Sequence, residues 1–75
     1  MEEADVPVSD ERPLTPREVE VMERLSNGET SREVARALGI SHHTVNSLLE
    51  RVYEKLGAND RAQAVAIALR RGLVD

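Results

Sequence analysis

At 75 residues, with 40% apolar content and a net charge of −4, the chain has room for one small domain with a modest core and not for a cleft-bearing enzyme, so no catalytic residues are assigned. The absence of cysteine excludes a disulfide framework and a thiolate metal site and is compatible with a reducing cytoplasm. No segment approaches the roughly 20 consecutive apolar residues of a membrane span and no basic-then-apolar leader opens the chain, so a soluble, untargeted protein with no membrane partner is expected.

The acidity is local. Residues 1–12 hold five acids (Glu2, Glu3, Asp5, Asp10, Glu11) against one base, whereas residues 13–75 hold nine of each and are neutral. The net charge is therefore no argument against a nucleic-acid partner, since DNA affinity rests on where Lys and Arg are placed. Residues 1–12, with Pro7 and little periodicity, read as a flexible acidic arm or linker, and residues 13–75 as the folded domain.

Start and stop signals divide that domain into four helices. Thr15-Pro16-Arg17-Glu18 supplies an N-cap, Pro at the first helical position and Glu at the third, and Leu14 before the cap is placed to staple onto Val19. The first helix presents Val21, Met22 and Leu25 inward and ends at Asn27-Gly28. Thr30-Ser31-Arg32-Glu33 repeats the capping box, and the short second helix runs to Gly39. Ser41 caps a third helix over 42–56, ahead of Gly57, and Asp60-Arg61-Ala62-Gln63 reads as a third capping box opening a fourth helix over 61–71.

Within this series, Ala35, Gly39 and Val45 have the spacing of a helix-turn-helix. Two helices that cross steeply need a small residue at the contact, a residue free to take positive φ in the turn and an apolar anchor on the second helix. Val34, Leu38, Ile40 and Leu48 complete the packing. On the third helix Val45, Leu48, Leu49, Val52 and Leu56 form one apolar stripe, and His43, Asn46, Ser47, Glu50 and Glu54 form the opposite one. An anchored helix with short polar side chains near its N-terminal end suits insertion into a major groove, although any solvated amphipathic helix shows the same pattern. The fourth helix carries two narrow apolar stripes, one of Ala62, Val65, Ala66 and Leu69, the other of Ala64, Ile67 and Ala68. One stripe is enough to dock it. The other is free for a second copy across a two-fold axis, and Val65, Ala66 and Leu69 are favoured as the dimer interface because Val65 and Leu69 are the larger pair, one turn apart.

Leu14-Thr15-Pro16-Arg17-Glu18, Ser31-Arg32-Glu33-Val34-Ala35, Ile40-Ser41-His42-His43-Thr44-Val45, Glu54-Lys55-Leu56-Gly57-Ala58, Arg61-Ala62-Gln63-Ala64-Val65 and Arg70-Arg71-Gly72-Leu73-Val74 together resemble the C-terminal DNA-binding domain of the LuxR/GerE/FixJ family of bacterial transcription regulators. The resemblance covers Leu14 to Val74. It implies an all-α, four-helix bundle-like domain containing a helix-turn-helix, whose helix 42–56 reads the major groove and whose helix 61–71 dimerises on palindromic sites. It also implies double-stranded DNA as partner, a homodimer that is weak without DNA, RNA polymerase as a further partner, no cofactor, and a place in the bacterial cytoplasm at the nucleoid.

Where the family usually has Lys, a variable residue and His after Thr-Val, this chain has Asn46, Ser47 and Leu48, with Glu50 following. Arg24 and Glu29 also stand where the family tends to be apolar. The base-reading set is therefore His43, Asn46, Ser47 and Glu50: Asn46 can pair bidentately with adenine, Ser47 can donate or accept, and Glu50 can only accept, as from cytosine N4. The phosphate set is Thr30, Ser31, Arg32, Arg36, Ser41, Thr44, Arg51 and Lys55, combining helix starts with cations. Thr30 and Ser41 serve equally as caps. His42 and His43 do not suggest a metal site, because adjacent helical residues point about 100° apart and no Cys or i+4 His accompanies them. A sigma-factor-like domain would share the first three helices but not the fourth segment. The competing function is a helix-turn-helix that has lost DNA binding and serves as a protein-interaction module through its acidic face and fourth helix.

Overall fold

The computed structural model describes residues 14–74. It contains α1 (Pro16–Ser26), α2 (Ser31–Leu38), α3 (His42–Leu56) and α4 (Arg61–Arg70). The acidic arm assigned to residues 1–12 lies outside the described residues. No described helix is long and apolar enough to cross a membrane.

Each helix begins where a local hydrogen bond makes it. Thr15 Oγ1 accepts from the Glu18 N–H at 3.2 Å while Glu18 Oε1 accepts from the Thr15 N–H at 2.8 Å, and Thr30 and Glu33 repeat the exchange at 3.1 and 2.8 Å. Ser41 Oγ accepts from the Thr44 N–H at 3.0 Å. At α4 only half of the expected box is present. Asp60 Oδ1 accepts from the Gln63 N–H at 2.8 Å, but Gln63 Oε1 accepts from the Asn59 N–H at 2.7 Å, one residue before the cap. The helix also closes one residue earlier than the sequence suggested, with Arg71 as its C-cap. Gly39, at φ 71°, makes the left-handed turn between α2 and α3 that side chains with a Cβ rarely adopt.

Helix α3 is the central element, packed against α1, α2 and α4. Val45, Leu49, Val52 and Leu56 enter a core built with Val21, Met22 and Leu25 of α1, Val34 and Ala35 of α2, and Ala64, Ile67 and Ala68 of α4, closed by Val74. This decides between the two stripes of α4. The Ala64, Ile67 and Ala68 stripe docks the helix, while Ala62 and Ala66 are exposed, Val65 is half-buried and Leu69 is 48% exposed.

Two charged residues join this core. Glu18 is 2% exposed and Lys55 7%, and the Lys55 ammonium donates to Glu18 Oε1 at 2.8 Å, the oxygen that also accepts from Thr15. The pair ties the first turn of α1 to the last turn of α3. Lys55 was assigned to the phosphate set, and that assignment is corrected here: an ammonium buried against a carboxylate cannot reach DNA without abandoning a buried charge. Lys55 lies seven residues, about two turns, after half-buried Leu48 and so shares its side of α3. Glu18 precedes Val21 and Met22 by three and four residues, on the inner stripe of α1. At the far end of α1, Arg24 Nη1 donates to both Glu29 oxygens at 3.3 and 3.1 Å, so the two charges at usually apolar positions neutralise each other.

Burial raises the pKa of the Glu18 carboxyl, but hydrogen bonds from Lys55 and Thr15 and the Lys55 charge outweigh it and hold the group below its ordinary 4.5. A carboxyl depressed in the folded state stabilises the fold above its unfolded pKa, and that stability is lost as pH falls through the folded value. Lys55→Met, which strands the Glu18 charge, is expected to lower unfolding free energy by about 3–5 kcal/mol, most of the stability of so small a domain. Glu18→Gln/Lys55→Met, which keeps the acceptor for Thr15 and leaves no charge, should recover much of the loss. Urea unfolding at several pH values checks both points: wild-type stability should fall on acidification below about pH 4.5, and the double variant should lack that component.

Candidate nucleic-acid interface

Because three helices grip one side of α3, its opposite side is left to solvent. His43, Asn46, Ser47, Glu50 and Glu54 are all exposed and recur at spacings of three and four, forming one face along the helix. The four residues assigned to base reading are thus brought together on a surface whose backbone is anchored from behind. The starts of α2 and α3 supply the flanks. In each, the capping hydroxyl satisfies the third N–H and the cap carbonyl the next, leaving the N–H groups of Ser31, Arg32, His42 and His43 without a protein acceptor among the described residues. Such amides, at the positive end of a helix dipole, are suited to an anion.

The phosphate set divides when its partners are considered. Thr30 Oγ1 and Ser41 Oγ each accept one cap hydrogen bond, and the Ser41 and Thr44 hydroxyls share one hydrogen bond at 2.9 Å, so the Thr30 hydroxyl and one of the Ser41–Thr44 pair keep a proton to donate to a phosphate oxygen. The Thr30 N–H is taken by Glu33. Arg32, Arg36 and Arg51 are exposed and have no carboxylate partner among the described residues, whereas Arg17 pairs with Glu20, Arg24 with Glu29 and Lys55 with Glu18. Arg61, Arg70 and Arg71 of α4 and its C-cap are likewise exposed without a carboxylate partner among the described residues, so the cations left unpaired are those of α2, α3 and α4 and the paired ones are the two of α1 and Lys55.

One residue of this neighbourhood was not anticipated. The Arg61 guanidinium reaches from the first turn of α4 to Ser31 Oγ at 3.4 Å, and its charge acts on the Tyr53 phenol. Burial raises the Tyr53 pKa, with Asp60 adding to the rise and Arg61 opposing it. The backbones of α2 and α4 do not pack on each other, so Arg61 spans the gap between the start of α2 and the start of α4. In the sequence Arg61 is only the residue after an N-cap, and Ser31 lies 30 positions away, so no periodicity could have linked them.

The model of the luxR family of bacterial regulatory proteins matches residues 12–68. The transcriptional regulatory protein YdfI of Bacillus subtilis is 44% identical over 64 residues, which cover 85% of this chain and 30% of that protein. The chain thus spans about a third of the length of the curated relatives it matches. Among solved structures, the transcription factor GerE superposes with a TM-score of 0.79 at 32% identity, covering 85% of this chain and 97% of that one. A complex of Vibrio cholerae VqmA with ligand and DNA superposes with a TM-score of 0.79 at 37% identity, over 87% of this chain and 29% of that one. A core organised around α3, a helix-turn-helix turn at Gly39 and a family match running from before α1 into α4 lead to one conclusion: the chain is a helix-turn-helix domain that belongs to the luxR family of bacterial regulatory proteins.

Proposed function

We propose that this domain binds double-stranded DNA sequence-specifically to regulate transcription, with α3 entering the major groove and α4 pairing two copies on adjacent half-sites. The observation that carries the reading is the helix-turn-helix surface: an exposed polar face of α3 anchored by the core, with free amides at the starts of α2 and α3 and arginines on both helices that have no carboxylate partner among the described residues. That VqmA, a protein sharing this fold, is described in complex with DNA and as a dimer supports both halves of the proposal. In this reading His43, Asn46, Ser47 and Glu50 meet base edges, while Thr30, Ser31, Arg32, Arg36, Ser41, Thr44 and Arg51 meet phosphates. The protein works at the nucleoid in the cytoplasm, and RNA polymerase is the partner through which bound protein acts.

Three arginines per protomer are a sparse cationic grip. The slope of log K against log salt is expected to be about −3 per protomer, measured by fluorescence anisotropy on a short duplex, and a slope steeper than about −6 would contradict the assignment of charges.

Base reading and phosphate contact separate by their sequence dependence. Asn46→Ala should relax selectivity at one operator position, at a loss of about 1–3 kcal/mol there, while Arg51→Ala should weaken all duplexes alike and make the salt slope shallower by about 1. Duplex selection from a random pool followed by titration distinguishes the two, and equal losses on cognate and scrambled DNA for Asn46→Ala would remove Asn46 from the reading set.

The outer stripe of α4, Val65, Ala66 and Leu69, is the proposed dimer contact. Centred on one short helix, it falls below the roughly 1,200 Å² of stable complexes, so the isolated domain should be monomeric at micromolar concentration and pair when DNA holds two copies together. Since Leu69 is 48% exposed, Leu69→Glu should leave thermal melting nearly unchanged and half-site binding intact while abolishing cooperative occupancy of a two-site duplex.

One observation favours a second reading, a protein-interaction module: the outward face of α3 carries two carboxylates, Glu50 and Glu54, and no Lys or Arg. Failure of the domain to enrich any duplex at low salt would select it.

A further inference from the structure

The charge on the outward face of α3 is distributed in an unusual way for a surface that approaches DNA. Glu50 has no ion-pair partner among the described residues. Its neighbours one turn away along the helix are Asn46, Ser47, Tyr53 and Glu54, none of them a cation. On the two helices of the helix-turn-helix the cations without a carboxylate partner are Arg32 and Arg36, exposed on α2, and Arg51, exposed on α3 about 100° around the helix from Glu50. The middle of the outward α3 face is therefore anionic, and the cations of the helix-turn-helix lie off that face.

A carboxylate carried into the major groove loses water and approaches two phosphate strands, which is unfavourable unless a donor meets it. The groove offers few. Guanine presents N7 and O6 and thymine O4, all acceptors, so donors come from cytosine N4 and adenine N6 alone. At adenine the N6 donor lies beside the N7 acceptor, which repels the second carboxylate oxygen, whereas the major-groove edge of cytosine has no acceptor of its own. Building on the DNA-binding reading above, we infer that Glu50 is a specificity-determining residue that acts mainly by exclusion. It accepts from cytosine N4 at one operator position, and every other base leaves its charge desolvated and unsatisfied. Asn46, four residues earlier on the same face, carries the donor and acceptor that match adenine. Four residues rise about 6 Å along a helix, against about 3.4 Å per base-pair step, so the adenine and the cytosine fall within about two base pairs of each other in each half-site. The carboxylate thereby weakens binding to non-cognate DNA more than to the operator. Specificity comes from the ratio and not from the strength of the grip.

The test uses the full chain and its Glu50→Ala and Glu50→Gln variants, with duplexes selected from a random pool and then titrated against a scrambled duplex. Melting temperatures should be unchanged, because Glu50 is exposed and bonded to nothing in the described fold. The wild type should enrich half-sites with cytosine within about two base pairs of adenine. Glu50→Ala should lose about tenfold of the cytosine preference and bind the scrambled duplex several-fold more tightly. Glu50→Gln, an amide of the same shape with one donor and one acceptor, should move the preference at that position from cytosine to adenine. Selection of the same sequences by all three proteins overturns the inference while leaving DNA binding intact. So does a gain in affinity with no change of base preference, which would reduce Glu50 to long-range repulsion. Enrichment of no duplex by the wild type overturns the inference together with the reading on which it rests.

Discussion

Helix α3 is held from behind by three others, and the rest of the molecule follows from that constraint. Val45, Leu49, Val52 and Leu56 are buried among residues of α1, α2 and α4, so the helix can neither rotate nor slide without opening the core. A fixed rotation is what makes the opposite face meaningful. Asn46 and Ser47 are short side chains whose direction depends on the backbone that carries them, His43 and Glu50 start from the same fixed face, and directional hydrogen bonds of the kind base edges make tolerate little error in that direction.

The buried Glu18–Lys55 pair extends the same constraint along the axis of α3. One carboxylate oxygen closes the capping box of α1 and receives the ammonium from the last turn of α3, so the start of one helix and the end of another share a single acceptor. Buried ion pairs contribute little net stability compared with apolar packing, but they are strict about geometry, because any arrangement that separates the charges leaves both desolvated. The pair also takes one of the domain's cations out of contact with solvent. Arg24 and Arg17 are paired at the surface with Glu29 and Glu20, which leaves the cations of α2, α4 and Arg51 of α3 without a carboxylate partner among the described residues.

A contact helix whose outward face carries Glu50 and Glu54 and no cation favours weak sequence-independent attraction and strong dependence on the right partner. Phosphate contacts contribute affinity regardless of sequence, so a regulator with few of them relies on base edges to hold it in place. Cooperation between two copies then matters more. The outward stripe of α4 fits such an arrangement, since a contact too small to hold a dimer in solution still acts when DNA supplies a high effective concentration.

What could be read from the sequence was what is decided locally. Thr15 with Glu18, Thr30 with Glu33 and Ser41 with Thr44 each lie within one turn, and the apolar stripe of α3 repeats over about three turns, so cap and periodicity marked the helices to within a residue or so. The Asp60 box failed by one residue because the extended backbone at the cap, with φ −155°, brings Asn59 within reach of Gln63. Other features needed the chain to fold. Lys55 and Glu18 are 37 positions apart and Arg61 and Ser31 are 30 apart, so their meeting depends on how helices cross. The two stripes of α4 are nearly equivalent as strings of letters, and only docking against α3 and α1 turned Ala64, Ile67 and Ala68 inward and left Leu69 in solvent. Composition and periodicity by themselves determined that four helices form and which faces are apolar. Which charges are spent inside the fold, and which remain at the surface to meet a partner, was decided by tertiary packing, because burial is a property of neighbours that a linear sequence does not contain.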